Sequence, residues 1–458
     1  MLPTALFLNP LLSTSLAFAM LAAYGLMCVR IALRERRKLR AMAAFEPALA
    51  DSPSWLLCFA SQTGTAEELA MQSAARLHLA GISAHVCSFT QLTAELLQQT
   101  ERILFVVSTY GEGDPPDNAA RFSSATMSAR LPLANLHYGL LALGDASYVH
   151  PFGFGRDLHA WLQQCSAQAL FKPIEVDRGD ERALQAWQQE LNHLAGSSDV
   201  PDWQAPDFGE WRLSARKQLN PGSSGAPLFH LELVPASGPL PNWQSGDLVQ
   251  IQVPADTTRP RDYSISSLPE DGSVQLLVRQ HQGPEGMTGL ASNWLTQELE
   301  LGALVHLRLR SHRLFQLGEN ISRPLILIGN GSGLAGLRGH LKARIAAGRF
   351  DNWLIFGERN AATDFLYQNE LAAWLAQGKL ARLNAVFSRD QAESRYVQTV
   401  LAESSELVRE WVNQGAAIYV CGSLKGMASG VNQVLTDVLG EAVLETLSLA
   451  GRYRRDVY

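Results

Sequence analysis

Residues 61–70 read SQTGTAEELA and follow a short apolar run, WLLCFA, at 55–60. Five of the first six residues are small or carry a hydroxyl, and the last four favour helix. The stretch therefore predicts a strand, a tight loop and the N-terminus of a helix. Such a loop holds phosphate through backbone N–H groups and hydroxyls. It lacks the lysine of the nucleoside-triphosphate loop GxxxxGKS/T, and no other lysine lies near. It suits a phosphate that is bound and never transferred, as in a cofactor monophosphate.

Working outward, the apolar runs ILFVVS (103–108) and YGLLALG (138–144) alternate with helical segments such as AEELAMQSAARLHLA (66–80). That alternation predicts a doubly wound parallel sheet over 54–195. Ligands of such folds sit at the carboxyl ends of the strands, so the loops SQTGTA, TYGEGDPPDNA (109–119) and LGDASYVHPFG (143–153) should converge on one site. A linker over 196–207 follows. Beyond it FHLELV, DLVQIQV and VQLLVRQ alternate apolar and polar residues between Gly/Pro turns, which predicts a small antiparallel barrel over 208–320. From residue 321 the runs PLILIGNGSG, NWLIFGER, RLNAVFS and AAIYVCG, each followed by a helical stretch, predict a second α/β domain reaching residue 458. Three domains fit a length of 458 residues at ~150 residues per domain.

The N-terminal segment differs. No charged side chain occurs over 1–29, and LLSTSLAFAMLAAYGLMCV (11–29) is about as long as the ~20 apolar residues that span a bilayer. RIALRERRKLR (30–40) follows it. We expect a transmembrane anchor at 1–33 and a linker at 34–53, with the N-terminus outside and the remaining domains cytoplasmic by the positive-inside rule (the inner membrane, if the source is bacterial). A cleaved signal peptide would carry a basic region before the apolar core, and none is present. The net charge of -6 and pI near 6.0 offer no basic surface for nucleic acid. The five cysteines form no CxxC pair or Cys/His cluster, so no metal site is indicated.

Taken together and in this order, the motifs resemble those of the diflavin reductases: a flavodoxin-like FMN domain, a FAD barrel of the ferredoxin-NADP reductase type and an NADPH domain. The resemblance covers everything after the proposed anchor. It implies that Ser61, Gln62, Thr63, Gly64, Thr65 and Ala66 hold the FMN phosphate. It further implies Thr109, Tyr110, Gly111 and Gly113 around one flavin face and Leu143, Gly144 and Tyr148 around the other, with Asp177 nearby. RDYSISS (261–267) resembles the RxYSxxS signature of FAD barrels, which implies Arg261 on the pyrophosphate and Tyr263 and Ser264 beside the ring; GMTGLASNWL (286–295) adds Gly289, Leu290, Ala291 and Ser292. GNGSGLAG (329–336) stands where the family has GPGTG, implying Gly331, Ser332 and Gly333 on NADPH. FSRDQAESRYVQ (387–398) resembles SRxQ...YVQ and implies Ser388, Arg389 and Tyr396 on the 2′-phosphate, with Arg395 a further candidate. Cys421, Ser264 and Asp456 are implied as the catalytic group beside the nicotinamide, with Tyr458 as the aromatic gate stacked on FAD.

The implied activity is electron transfer from NADPH through FAD and FMN to a haem or iron–sulfur redox protein in or at the same membrane. The alternatives are a reductase of small acceptors, such as ferric complexes or free flavin, and a non-enzymatic tethered electron carrier. One departure bears on architecture. About fifty residues separate Asp207 from RDYS, too few for the helical connecting domain of the larger family members. The FMN domain should therefore dock weakly or by a different construction, on a tether with a reach of roughly 20 Å.

Overall fold

The computed structural model describes residues 55–195, 207–281, 288–390 and 394–458. The expected anchor, the 34–53 linker and residues 196–206 of the second linker lie outside them. No helix among the described residues is long and apolar enough to cross a membrane.

The first sheet is built from β1 (Trp55–Ala60), β2 (Ala84–Ser88), β3 (Arg102–Ser108), β4 (His137–Gly144), β5 (Gln168–Ala169) and β6 (Ile174–Asp177). Its order is β2-β1-β3-β4-β5, and β6 also pairs with β4. The fifth position of the sheet is thus filled by two short strands. Residues 103–107 of β3 are fully buried, because helices cover both faces of a parallel sheet and leave no polar side to the strand. The chain order reverses between β1 and β3, which makes a crevice at their carboxyl ends. The loops after β1, β3 and β4 all open there.

The second sheet contains β7 (Gly209–Gln218), β8 (Leu228–Pro235), β9 (Leu248–Val253), β10 (Asp256–Ser264), β11 (Val274–Arg279) and β12 (Leu304–Arg310), in the order β10-β9-β12-β7-β8-β11. A bridge from Ile265 to Leu276 brings its two edges together. Period-two burial puts Leu231, Val249, Ile251, Val305 and Leu307 into one interior. Four strands occupy residues 209–264, so no helical insert stands between β7 and the RDYS segment.

The third sheet is parallel: β13 (Leu325–Asn330), β14 (Asn352–Glu358), β15 (Arg382–Phe387), β16 (Ala417–Gly422) and β17 (Tyr453–Val457), ordered β15-β14-β13-β16-β17. Residues from Leu56 to Tyr458 form one compact unit. The first domain packs on the other two through charged pairs: Glu68 with Arg308 at 3.0 Å, Glu67 with Arg313 at 3.4 Å, and Asp117 with Arg455.

Candidate active site

The phosphate loop takes its shape from Ser61 and Gly64. Ser61 is buried, and its Oγ accepts from the N–H groups of Gly64 at 2.9 Å and Ala66 at 3.3 Å, holding the loop against the start of the helix Thr65–Leu79, whose N-cap is Gly64. Gly64 has φ +90°, a left-handed conformation that other residues adopt at a cost. Thr63 and Thr65 face a cavity of about 1040 Å³ between the first domain and the barrel. Thr109, Gly111, Leu143, Gly144 and Tyr148 line the same cavity, as expected from their loops. The Oγ1 of Thr109 is buried there without a hydrogen-bond partner. A roomy polar cavity with an orphaned hydroxyl fits the flavin that the flavodoxin-like topology implies.

Three of the expected residues engage other partners. Gln62 turns away from the loop: its side chain donates to Asp117 and to the carbonyl of Arg455 and accepts from the Asp117 N–H. Tyr110 does not line the cavity but packs against the apolar core of the third domain, with the Arg455 guanidinium over its ring, its hydroxyl buried and its pKa raised by that burial. Asp177 accepts from Ala146 N–H at 2.9 Å and from Arg178, so it fastens the loop after β4.

On the barrel side, Arg261 reaches the cavity wall, whereas Tyr263 and the 289–292 turn do not. Tyr263 is largely buried, which raises its phenol pKa. Ser292 closes its own turn by accepting from His281 N–H and donating to the Gly289 carbonyl. Its hydroxyl shapes the Gly289–Leu290–Ala291 backbone rather than standing free for a ligand.

Ser264, Cys421 and Asp456 come from the ends of β10, β16 and β17, and the structure brings them together. Ser264 Oγ donates to Asp456 Oδ2 at 2.8 Å, and Cys421 Sγ lies 3.7 Å from the same oxygen. Burial and the neighbouring Asp456 push the Cys421 thiol well above its usual pKa, so it remains protonated. The turn after β13 approaches this group closely. At Gly333 a Cβ would stand 2.1 Å from the Cys421 carbonyl, so only glycine fits. Gly331 has φ +57°, and Ser332 Oγ accepts from the Tyr458 hydroxyl at 3.0 Å. Tyr458 is 56% exposed and tied by its backbone to Gly422 and Leu424. A residue so placed lies against the turn after β13.

For the 2′-phosphate, Ser388 and Arg389 follow β15, and their N–H groups donate to the carbonyls of Glu358 and Arg359. The Arg389 guanidinium lies 3.4 Å from Ser224 Oγ, and Arg359 donates to the Ser224 carbonyl at 3.3 Å. Two cations thus meet at one exposed turn. Sequence reasoning missed Arg359, although its place after β14 in NWLIFGER was a usable signal. Tyr396 is half exposed at the start of the helix Val397–Glu403. Arg395 pairs with Glu403 of that helix.

Comparison with known proteins agrees with this geometry. The Flavodoxin family matches residues 57–187, and the Oxidoreductase NAD-binding domain family matches residues 327–433. The sulfite reductase [NADPH] flavoprotein alpha-component of Vibrio cholerae serotype O1 (strain ATCC 39315) is 28% identical, covering 91% of this chain and 89% of the relative. That of Shewanella sp. (strain MR-7) is 28% identical over 88% and 89% of the two chains, and that of Bacillus subtilis (strain 168) is 25% identical over 91% of each. The Vibrio alignment runs over 553 positions against 458 residues here, so at least 95 of them have no counterpart in this chain. Two flavin-type modules, a nicotinamide-nucleotide module and relatives that span nearly the whole chain place it in the diflavin reductase family, as an NADPH-dependent flavoprotein reductase of the sulfite reductase flavoprotein type.

Proposed function

We propose that Ser264, Cys421 and Asp456 receive the nicotinamide, and that electrons leave the chain for a haem or iron–sulfur protein at a membrane to which residues 1–33 tether it. When bound, FAD accepts the hydride of NADPH and FMN delivers electrons singly. The observation that carries the first part is the 2.8 Å contact between Ser264 and Asp456, which joins the barrel to the third domain at one point. The serine hydroxyl and the neutral Cys421 thiol both donate toward Asp456 Oδ2 and fix that carboxyl group in place. Nicotinamide gains positive charge as its hydride leaves, and a carboxylate already oriented stabilises that charge without reorganising. Tyr458 must swing off Ser332 before the ring can enter.

Ser264→Ala and Asp456→Asn should slow NADPH-driven flavin reduction about tenfold or more, because a hydrogen bond to a charged group is worth ~1.5–3 kcal/mol. Flavin content should not change. Stopped-flow traces indistinguishable from wild type would place the nicotinamide elsewhere.

The acceptor reading draws support from the name alpha-component carried by the relatives, which implies a second component in their assemblies. Tethering raises the local concentration of a partner in the same membrane and does nothing for reaction with a small artificial acceptor. Removing residues 1–40 should leave reduction of ferricyanide intact and slow reduction of the membrane partner several-fold. Equal rates toward that partner in native membranes would exclude a role for the anchor in electron transfer.

A further inference from the structure

The loop over 61–65 contains no lysine or arginine. The structure supplies a cation from another domain. In β12, Val305 and Leu307 enter the barrel interior, so the alternation of the strand turns Arg308 and Arg310 to its outer face, where a barrel normally meets water. Arg310 is nevertheless only 6% exposed. What covers it is the phosphate loop. Its Nη2 donates to Thr65 Oγ1 at 2.5 Å and to the Thr63 carbonyl at 2.9 Å. Gly64 comes so near that a Cβ there would lie 3.4 Å from the Ser311 carbonyl. Nη1 of Arg310 donates to Asp262 Oδ2 at 2.6 Å, which fixes the plane of the guanidinium. Arg308 pairs with Glu68 in the first turn of the helix Thr65–Leu79. Thr63, Thr65 and Arg310 share one wall of the large cavity.

We propose that Arg310, carried by the FAD barrel, is the cation of the FMN phosphate site, so that the 5′-phosphate is bound between two domains. The inference rests on reading 61–65 as the FMN loop. The Arg310 guanidinium, oriented by Asp262, sets its charge against the loop; its Nη2 hydrogens rest on the Thr63 carbonyl and the Thr65 hydroxyl, where phosphate oxygens would take over as acceptors, while the helix N-terminus contacts the phosphate from the other side. By linkage, whatever FMN gains from Arg310 in affinity, the docked arrangement of the two domains gains in stability. Asp262 follows Arg261, the residue assigned to the FAD pyrophosphate, so one short segment serves both flavin sites.

The test uses the full chain, stripped of flavin and titrated by fluorescence with FMN and with riboflavin, which lacks the phosphate. Arg310→Gln should raise the Kd for FMN at least about tenfold and change that for riboflavin less than about threefold, as expected for loss of one charge-assisted contact. Arg310→Lys should fall between, since it keeps the charge and loses the fork. FAD content before stripping checks that the variants fold. Equal loss of affinity for both flavins would mean that Arg310 acts by docking alone and would overturn the proposal. So would competition by micromolar inorganic phosphate, which would mark a free-anion site. Tight FMN binding by both wild type and Arg310→Gln would overturn only the role of Arg310, whereas a wild type that binds no FMN would overturn the reading of the loop as well.

Discussion

Arg389 and Arg359 reach Ser224 from the ends of two neighbouring strands. A 2′-phosphate placed there receives charge-assisted bonds that NADH cannot make. Arg389 is solvent-exposed, so screening keeps its contribution at the low end of the range for such bonds. Arg389→Ala should therefore raise the KM for NADPH about tenfold and that for NADH far less. Steady-state kinetics with both nucleotides provide the check, and an equal response would remove Arg389 from the phosphate site. Arg389 was legible in the sequence because it stands in a motif. Arg359 stands in no such motif; its place after β14 marks it, but its approach to Arg389 depends on the register that sets β14 beside β15. Gln62 and Tyr110 stand in motif positions too, yet their side chains meet partners from distant parts of the chain, Asp117 and Arg455 respectively, and Arg395 pairs with Glu403 on the helix that follows it.

The strand β17 carries Asp456 toward the nicotinamide site on one side and Arg455 toward the FMN domain on the other, as alternation along a strand requires. Arg455 pairs with Asp117, and the Arg455 carbonyl accepts from Gln62, so two loops of the first domain are fastened to the strand that precedes Tyr458. Both charges are about four-fifths buried. Removing one leaves the other poorly solvated. Asp117→Asn should thus slow the later phase of NADPH-driven flavin reduction, in which electrons cross to the FMN domain, by about tenfold, on the ~1–3 kcal/mol lost with a partly buried pair. The first phase should be little affected. Stopped-flow absorbance separates the two, and an unchanged second phase would show that the pair does not hold the domains in working order. Apolar runs and loop order made the three sheets and the convergence of the phosphate loops legible from sequence. The docking was not legible, because an outward arginine on a barrel strand reads the same whether it meets water or another domain.

Across the chain, a flavodoxin-like domain, a FAD barrel and an NADPH domain are joined without a connecting domain, and one cavity of about 1040 Å³ is walled by both flavin modules. The Vibrio alignment carries at least 95 positions without a counterpart in this chain, and here β7 follows the linker directly. The short linker was visible in the sequence. Its consequence, a cofactor cleft shared between domains, required the fold. The decisive measurement is the flavin released when the purified full chain is denatured, separated by chromatography and compared with protein concentration. One FMN and one FAD per chain is the predicted result; a single kind of flavin from well-folded protein would contradict the two-flavin account.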